Sequence, residues 1–232
     1  MAENAIIVGV GPNLSASLAR LFANEGMKVA LAARNVDKLG ALVKETGARA
    51  YACDASKPDD VAKLFQSVER DIGQPNIVVY NASGRARGPI TEIEPADVER
   101  ALSVGAYGGF LVAREAAKRM LAQGSGTILF TGASASVKGF ANSSVFAMGK
   151  FALRGLAQAL ARELHPKNVH VGHIVIDGGI SVDGAGRPGA NDRGPDAWLH
   201  PDEIAKAYLA LHRQHRTTWA WEIELRPWVE KF

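Results

Sequence analysis

Cysteine is almost missing from this sequence. Cys53 is the sole one among 232 residues, so no disulfide can close within the chain, and no Cys/His spacing suits a zinc site. Long apolar runs are missing too. None reaches the roughly 18 residues that a membrane span needs, and the first basic residue is Arg20, so the apolar run Ala5 to Val10 has no basic stretch before it, unlike an export signal. Nor does charge of one sign dominate. The 27 Lys and Arg are scattered and face 24 Asp and Glu, which argues against a nucleic acid or a membrane as partner. Together these absences lead to the expectation of a cytoplasmic protein without a structural metal. What is there is 47% apolar residues and 24 glycines, enough for a full core and several tight turns. At roughly 150 residues per domain, a single domain over residues 1–232 is expected.

Short β-rich runs alternate with helical patterns along the chain. Ala5 to Val10, Lys28 to Ala33, Arg49 to Cys53, Asn76 to Tyr80, Thr127 to Thr131 and Val169 to Ile176 read as strands. Between them, helical spacing covers Pro12 to Glu25, Asn35 to Thr46, Pro58 to Asp71, one long helix from Pro95 to Gln123, and Ser143 to Leu164. Near-continuously apolar strands separated by helices imply parallel pairing with both faces covered. Trp219, Trp221, Ile223 and Leu225 alternate with polar or small residues and add a seventh strand. The expectation is a doubly wound α/β fold, a seven-stranded parallel sheet in a Rossmann-type three-layer sandwich. Residues 181–200 are rich in Gly and Pro and read as a long loop, either a substrate lid or plain disorder, of which the lid is the reading taken.

The turn Gly9-Val-Gly11-Pro-Asn13-Leu14 joins the first strand to a helix, where backbone N–H groups and the helix dipole attract a phosphate. About 20 residues further on, a site for NAD presents a carboxylate to the ribose, whereas a site for NADP presents arginine to the 2′-phosphate. Here Ala33-Arg34 stands there, and NADP(H) is expected to be preferred over NAD(H).

With Cys53-Asp54 after the third strand, Asn81-Ala82-Ser83-Gly84 after the fourth and Lys150 on a late helix, the chain resembles the short-chain dehydrogenase/reductase family over essentially its whole length. The resemblance implies that Gly9, Gly11, Asn13 and Leu14 hold the pyrophosphate and Asp54 the adenine amine. Asn81, Ala82 and Ser83 would line the adenosine side, Lys150 would bind the nicotinamide ribose, and Asp177-Gly178 would follow the sixth strand where the family has Pro-Gly. The family's tyrosine-x-x-x-lysine motif aligns with Phe146-Ala-Met-Gly-Lys150, so phenylalanine replaces the proton donor. Positions 146 and 150 lie one helical turn apart and share a face. The family's serine falls on Ala133, with Ser134 adjacent and expected to substitute, and its helix asparagine aligns with Gly105. Tyr107, Ser136, Asp177 and His173 are further candidates, each also readable as an ordinary structural residue. Arg85, Arg87, Arg187 and Arg193 on the rim loops suit an anionic substrate such as an acyl-CoA.

The function expected is hydride transfer to or from a carbonyl, alcohol or activated alkene of a small molecule. A cofactor-binding pseudoenzyme, acting as sensor or scaffold, is the alternative. A homodimer or homotetramer is implied by the resemblance and by Trp219, Trp221 and Trp228 gathered near the C-terminus.

Overall fold

The computed structural model describes residues 2–182, 194 and 196–230. Its seven strands are β1 (Asn4–Val8), β2 (Lys28–Ala33), β3 (Arg49–Ala52), β4 (Ile77–Tyr80), β5 (Gly126–Thr131), β6 (Val169–Ile176) and β7 (Glu222–Leu225). They form one sheet in the order β3-β2-β1-β4-β5-β6-β7, with every neighbouring pair parallel. Strands β1, β4 and β6 are buried at every position, as a sheet covered on both faces requires.

Successive strand residues point to opposite faces, so each strand feeds two cores. Ile7, Leu31 and Val79 meet Leu18 and Phe22 of α1 (Leu14–Asn24) and Tyr208 of α7 (Pro201–His212), in a layer that also holds α2 (Gly40–Thr46). On the other face Ile6, Val78 and Ile128 meet α3 (Pro58–Asp71), α5 (Gly108–Gln123) and α6 (Ser144–Leu164) through Phe65, Val112 and Leu153. This is the three-layer, doubly wound architecture expected from the alternation of strands and helices.

Four details depart from the sequence reading. The first strand stops at Val8, because Gly9 turns the chain with φ +86°. The single helix expected from Pro95 to Gln123 is divided into α4 (Pro95–Leu102), a π turn over Ser103–Tyr107, and α5. The widened turn lies over Tyr80, whose hydroxyl donates to the Val104 carbonyl inside it, and a Cβ at Gly108 would come within 2.5 Å of that hydroxyl. Helix α7 had no counterpart in the strand and helix assignment, although Pro201 in its first turn, followed by Asp202 and Glu203, is a helix-start signal. The final strand is shorter than its alternation suggested, since Trp219 stacks flat on His170 at 4.7 Å and donates from Nε1 to the Gln214 carbonyl.

Edge strand β7 is fastened by charge. Glu222 takes two hydrogen bonds from the Arg154 guanidinium of α6, at 2.6 and 2.7 Å, and lies 2.9 Å from Nδ1 of His173. Burial pushes His173 down to about 4, so near neutrality its ring is uncharged. The loop expected over 181–200 falls largely outside the described residues, as do Arg187 and Arg193. At its flanks Ile180 bridges Leu199 in parallel, and Ser181 N donates to the Leu199 carbonyl at 2.9 Å.

Candidate active site

The chain leaves β1 toward one face of the sheet and β4 toward the other, so their C-terminal ends diverge and a crevice opens between them. Gly9 forms its floor. A Cβ there would lie 2.4 Å from the backbone nitrogen of Ala82, so only glycine admits both the left-handed turn and the approach of the next strand. Asn81 locks this contact, its side-chain amide donating to Ser15 Oγ at 2.6 Å and to the Gly9 carbonyl at 3.3 Å. Asn13 precedes α1 without capping it through its side chain, and Gly11 has nothing within 4 Å of where a Cβ would stand. Within the first turn of α1, Ala16 and Ser17 donate to the Asn13 carbonyl, and Asn13, Leu14 and Ser15 ahead of them line the crevice.

The crevice has two parts. The larger cavity, about 770 Å³, is lined by Gly9, Gly11, Arg34, Lys38, Asp54 and Ala82 among others. Arg34 and Lys38 are exposed at its mouth. The Asp54 carboxylate accepts from both the backbone N–H and the hydroxyl of Ser56, at 3.0 and 2.7 Å, and these bonds hold it below the usual carboxylate range. The smaller cavity, about 330 Å³, runs on past Gly11, Asn13, Leu14 and Ser83 to Ala133, Phe146, Lys150 and Gly178.

At that inner end α6 brings Phe146 and Lys150 to the same wall. Phe146 is only 9% exposed, yet it belongs to neither apolar core; its ring carries the Arg85 guanidinium 4.1 Å from the centroid. Lys150 Nζ, 5.8 Å from the same centroid, donates to the Thr131 carbonyl at 2.7 Å. Burial, with Arg85 adding repulsion, pushes Lys150 down to about 7.

An ammonium buried beside a carbonyl, with no carboxylate paired to it among the described residues, is held at the expense of stability. Lys150→Met should therefore stabilise the free protein by about 2 kcal/mol at pH 6. The folded pKa lies below the unfolded one, so the gain is complete below about pH 7 and shrinks as pH rises toward the ordinary lysine value of 10.5. Urea unfolding of both proteins at pH 6 and pH 9 checks the size and the slope.

The other expected residues lie elsewhere. Ala133, not Ser134, lines the cavity. The Ser134 hydroxyl turns to the Asp177 carboxylate, which is buried and also paired with Lys138 at 3.2 Å and Arg226 at 3.0 Å. Ser136 is fully buried, its Oγ accepting from the Ala133 N–H. Tyr107 is 47% exposed and stacks on Phe110. Ser134, Ser136, Asp177 and Tyr107 are thus outside the cavity lining, and sequence spacing alone could not say so. Lys38 was missed; it stands in the short 3₁₀ turn Asp37–Leu39 that follows the strand end at Arg34, and a second basic residue four positions after that arginine was the available signal.

A parallel sheet whose crevice opens at its topological switch, with a glycine turn at one end and a buried lysine at the other, defines a Rossmann-type oxidoreductase domain. The chain belongs to the short chain dehydrogenase family, whose model matches residues 3–186. It is 31% identical over 179 residues to the 3-oxoacyl-[acyl-carrier-protein] reductase of Bos taurus, covering 76% of this chain and 75% of that one. It is 32% identical over 229 residues to tropinone reductase-like 2 of Erythroxylum coca, covering 89% and 82%. Among solved structures, a short-chain dehydrogenase from Rhodopseudomonas palustris superposes with a TM-score of 0.83 at 32% identity, covering 97% of this chain and 99% of that one. A metagenomic short-chain oxidoreductase in complex with NADP gives 0.84 at 26% identity, covering 98% of each. No described helix is long and apolar enough to cross a membrane.

Proposed function

We propose that this protein is an NADP(H)-dependent oxidoreductase that moves hydride to or from a carbonyl, alcohol or activated alkene of a small molecule. The observation that carries the reading is the continuous crevice from Arg34 and Asp54 to Phe146 and Lys150. The N–H groups around Gly11, Asn13 and Leu14 hold the pyrophosphate, and Arg34 with Lys38 meets the 2′-phosphate. Asp54 accepts from the adenine amine, Ala82 and Ser83 line the adenosine, and Lys150 holds the nicotinamide ribose beside Gly178. Bound there, the dinucleotide supplies or accepts a hydride. Asn81 lines both cavities and also fixes the Gly9 turn, whereas Ser134 and Asp177 act from outside by bracing the chain after β5 and β6. Phe146 occupies the place of the family's tyrosine.

The test is a cofactor exchange. The unaltered protein should bind NADPH more tightly than NADH in fluorescence titrations, because a guanidinium pairs bidentately with a phosphate and the strand end carries no carboxylate. Ala33→Asp combined with Arg34→Ala should reverse the order by about 10-fold or more in each direction. Equal affinities before the exchange would overturn the preference.

A second reading, cofactor binding without turnover, is favoured by one observation: Phe146 gives the inner cavity an aromatic wall where a proton donor belongs. A panel of carbonyl and alkene substrates with NADPH separates the two. The protein is also proposed to be a homodimer or homotetramer. The support is the apolar surface of α5 and α6 at Phe110, Met148 and Phe151, together with Trp228 at 78% exposure. The packing of Trp219 on His170 removes that side chain from the argument.

A further inference from the structure

A carbonyl that accepts hydride becomes an alkoxide, and its oxygen then needs a proton. The walls of the inner cavity offer few sources of one. No Asp, Glu, His, Cys or Tyr is among the described residues that line it. The Phe146 ring has no exchangeable proton, and the Arg85 guanidinium keeps its own at any working pH. The Thr131 hydroxyl is engaged with that of Tyr208 at 2.8 Å, and the Ser15 hydroxyl donates to the Gly9 carbonyl while accepting from Asn81. Ser83 is an alcohol, which does not give up a proton near neutrality without a base beside it. Of the side chains in the described lining, Lys150 is left.

Its placement suits the task. Lys150 is buried on α6, and its ammonium donates one of three N–H groups to the Thr131 carbonyl at the end of β5, 2.7 Å away. That bond holds Nζ at the wall where Thr131, Gly132 and Ala133 pass. A second N–H is taken by the nicotinamide ribose on the reading above, which leaves a third for a substrate oxygen. The surroundings also let the proton go. No carboxylate pairs with Lys150 among the described residues, and Arg85, from the loop after β4, repels it. From β6 acts His173, a neutral ring tied at Nδ1 to Glu222, whose own charge is matched by Arg154. From α7, Tyr208 is a phenol that burial raises well beyond its ordinary range, so it too is uncharged. Burial and Arg85 together bring Lys150 to about 7, where an acid can both hold a proton and release it.

Resting on the oxidoreductase reading above, we infer that Lys150 is the general acid of carbonyl reduction, a catalytic role beyond that of holding the ribose. Hydride adds to the carbonyl carbon with its two electrons, and the π pair moves to the oxygen. That oxygen takes a proton from the Lys150 ammonium, giving the alcohol and the oxidised dinucleotide. The amine left behind is reprotonated from water. In the reverse direction the neutral amine takes the hydroxyl proton as hydride departs.

Two measurements test this. The first needs no turnover: NMR of the cofactor-free protein with its lysines labelled with carbon-13 at Cε. One signal should titrate near pH 7, apart from others near the ordinary lysine value of 10.5, and should vanish in Lys150→Met. The second is the pH dependence of the reduction of cyclohexanone and benzaldehyde at saturating NADPH. The rate should be level at low pH and fall by about tenfold per unit above the Lys150 pKa, which the phosphates of NADPH move upward. Lys150→Arg keeps a cation and donors for the ribose but releases no proton. Its kcat should drop by about 10²-fold and the falling limb should disappear, while NADPH affinity changes far less. Lys150→Met should lose kcat to a similar extent and bind NADPH more weakly as well. Full kcat in Lys150→Arg would make the lysine a holder of the ribose alone, and a rate constant from pH 6 to pH 9 would make water the donor. Either result overturns the inference and leaves the oxidoreductase reading standing, as does a set of lysine signals that all titrate above pH 9. If NADPH fails to bind, or binds and no carbonyl compound is reduced, it is the oxidoreductase reading that fails, and the inference falls with it.

Discussion

Phe146→Tyr should raise the reduction of small carbonyl compounds by about 10²-fold, the lower end of what a positioned general acid contributes. The ring already lines the inner cavity, so the new hydroxyl is added to a cleft wall and not to a packed core. Arg85 and Lys150 both lie within 6 Å of its centroid. Two neighbouring cations favour phenolate and bring the tyrosine pKa down toward working pH. The sign of the pH dependence follows. Reduction needs the protonated phenol, so the added activity is present below the tyrosine pKa and is lost as pH rises through it. Initial rates with NADPH between pH 6 and 10 measure both the gain and its decline, and NADPH affinity should barely move. A variant destabilised by about 1–3 kcal/mol without any gain would mean that the hydroxyl had been buried without a partner.

Gly9→Ala should cost about 4 kcal/mol of folding stability. A left-handed turn strains any residue with a Cβ by about 1–3 kcal/mol. Here the Cβ would also lie 2.4 Å from one backbone atom of Ala82 and 2.5 Å from another, and backbone cannot step aside as a flexible side chain can. Displacing Ala82 would disturb Asn81 and its bond to Ser15, so the loss spreads across the junction of β1 and β4. Gly11→Ala gives the contrast. Nothing lies within 4 Å of that Cβ, and the change in stability should stay within about 0.5 kcal/mol. The methyl group would instead occupy the space a pyrophosphate needs, so NADPH binding weakens while urea unfolding is unaltered. One pair of variants thus separates the glycine that the fold requires from the glycine that the ligand requires.

Much of the fold was legible because both faces of a parallel sheet are covered, and this leaves short, continuous apolar runs that stand out from amphipathic helices. The π turn left no such trace, since one widened turn shifts the apolar spacing of a long helix too little to be read. Helix α7 was legible in principle, with Ile204, Tyr208 and Leu211 at helical spacing, but it follows a stretch so rich in Gly and Pro that the rhythm was lost. At the site, the pairing of Phe146 with Lys150 followed from one turn of helix, whereas the direction of Ser134 did not. Whether a side chain after a strand faces the crevice or the neighbouring turn depends on partners far away in sequence, in this case Asp177. The same is true of Arg85, whose ring partner is 61 residues ahead and on another element.

The seam between β1 and β4 has a consequence for the lifetime of the chain. The wall formed by Gly9, Arg34 and Asp54 comes from the first part of the sequence, and the wall formed by Phe146, Lys150 and Gly178 from the later part. A dinucleotide lying along the crevice would bridge them, so opening the seam would require its release. At a free concentration 100 times its dissociation constant, such a ligand adds about 2.7 kcal/mol to the unfolding free energy. Proteolytic clearance that proceeds through the opened chain would slow by the corresponding factor of about 100. The amount of this protein in a cell would then track the supply of its nucleotide, with no regulatory domain needed to sense it.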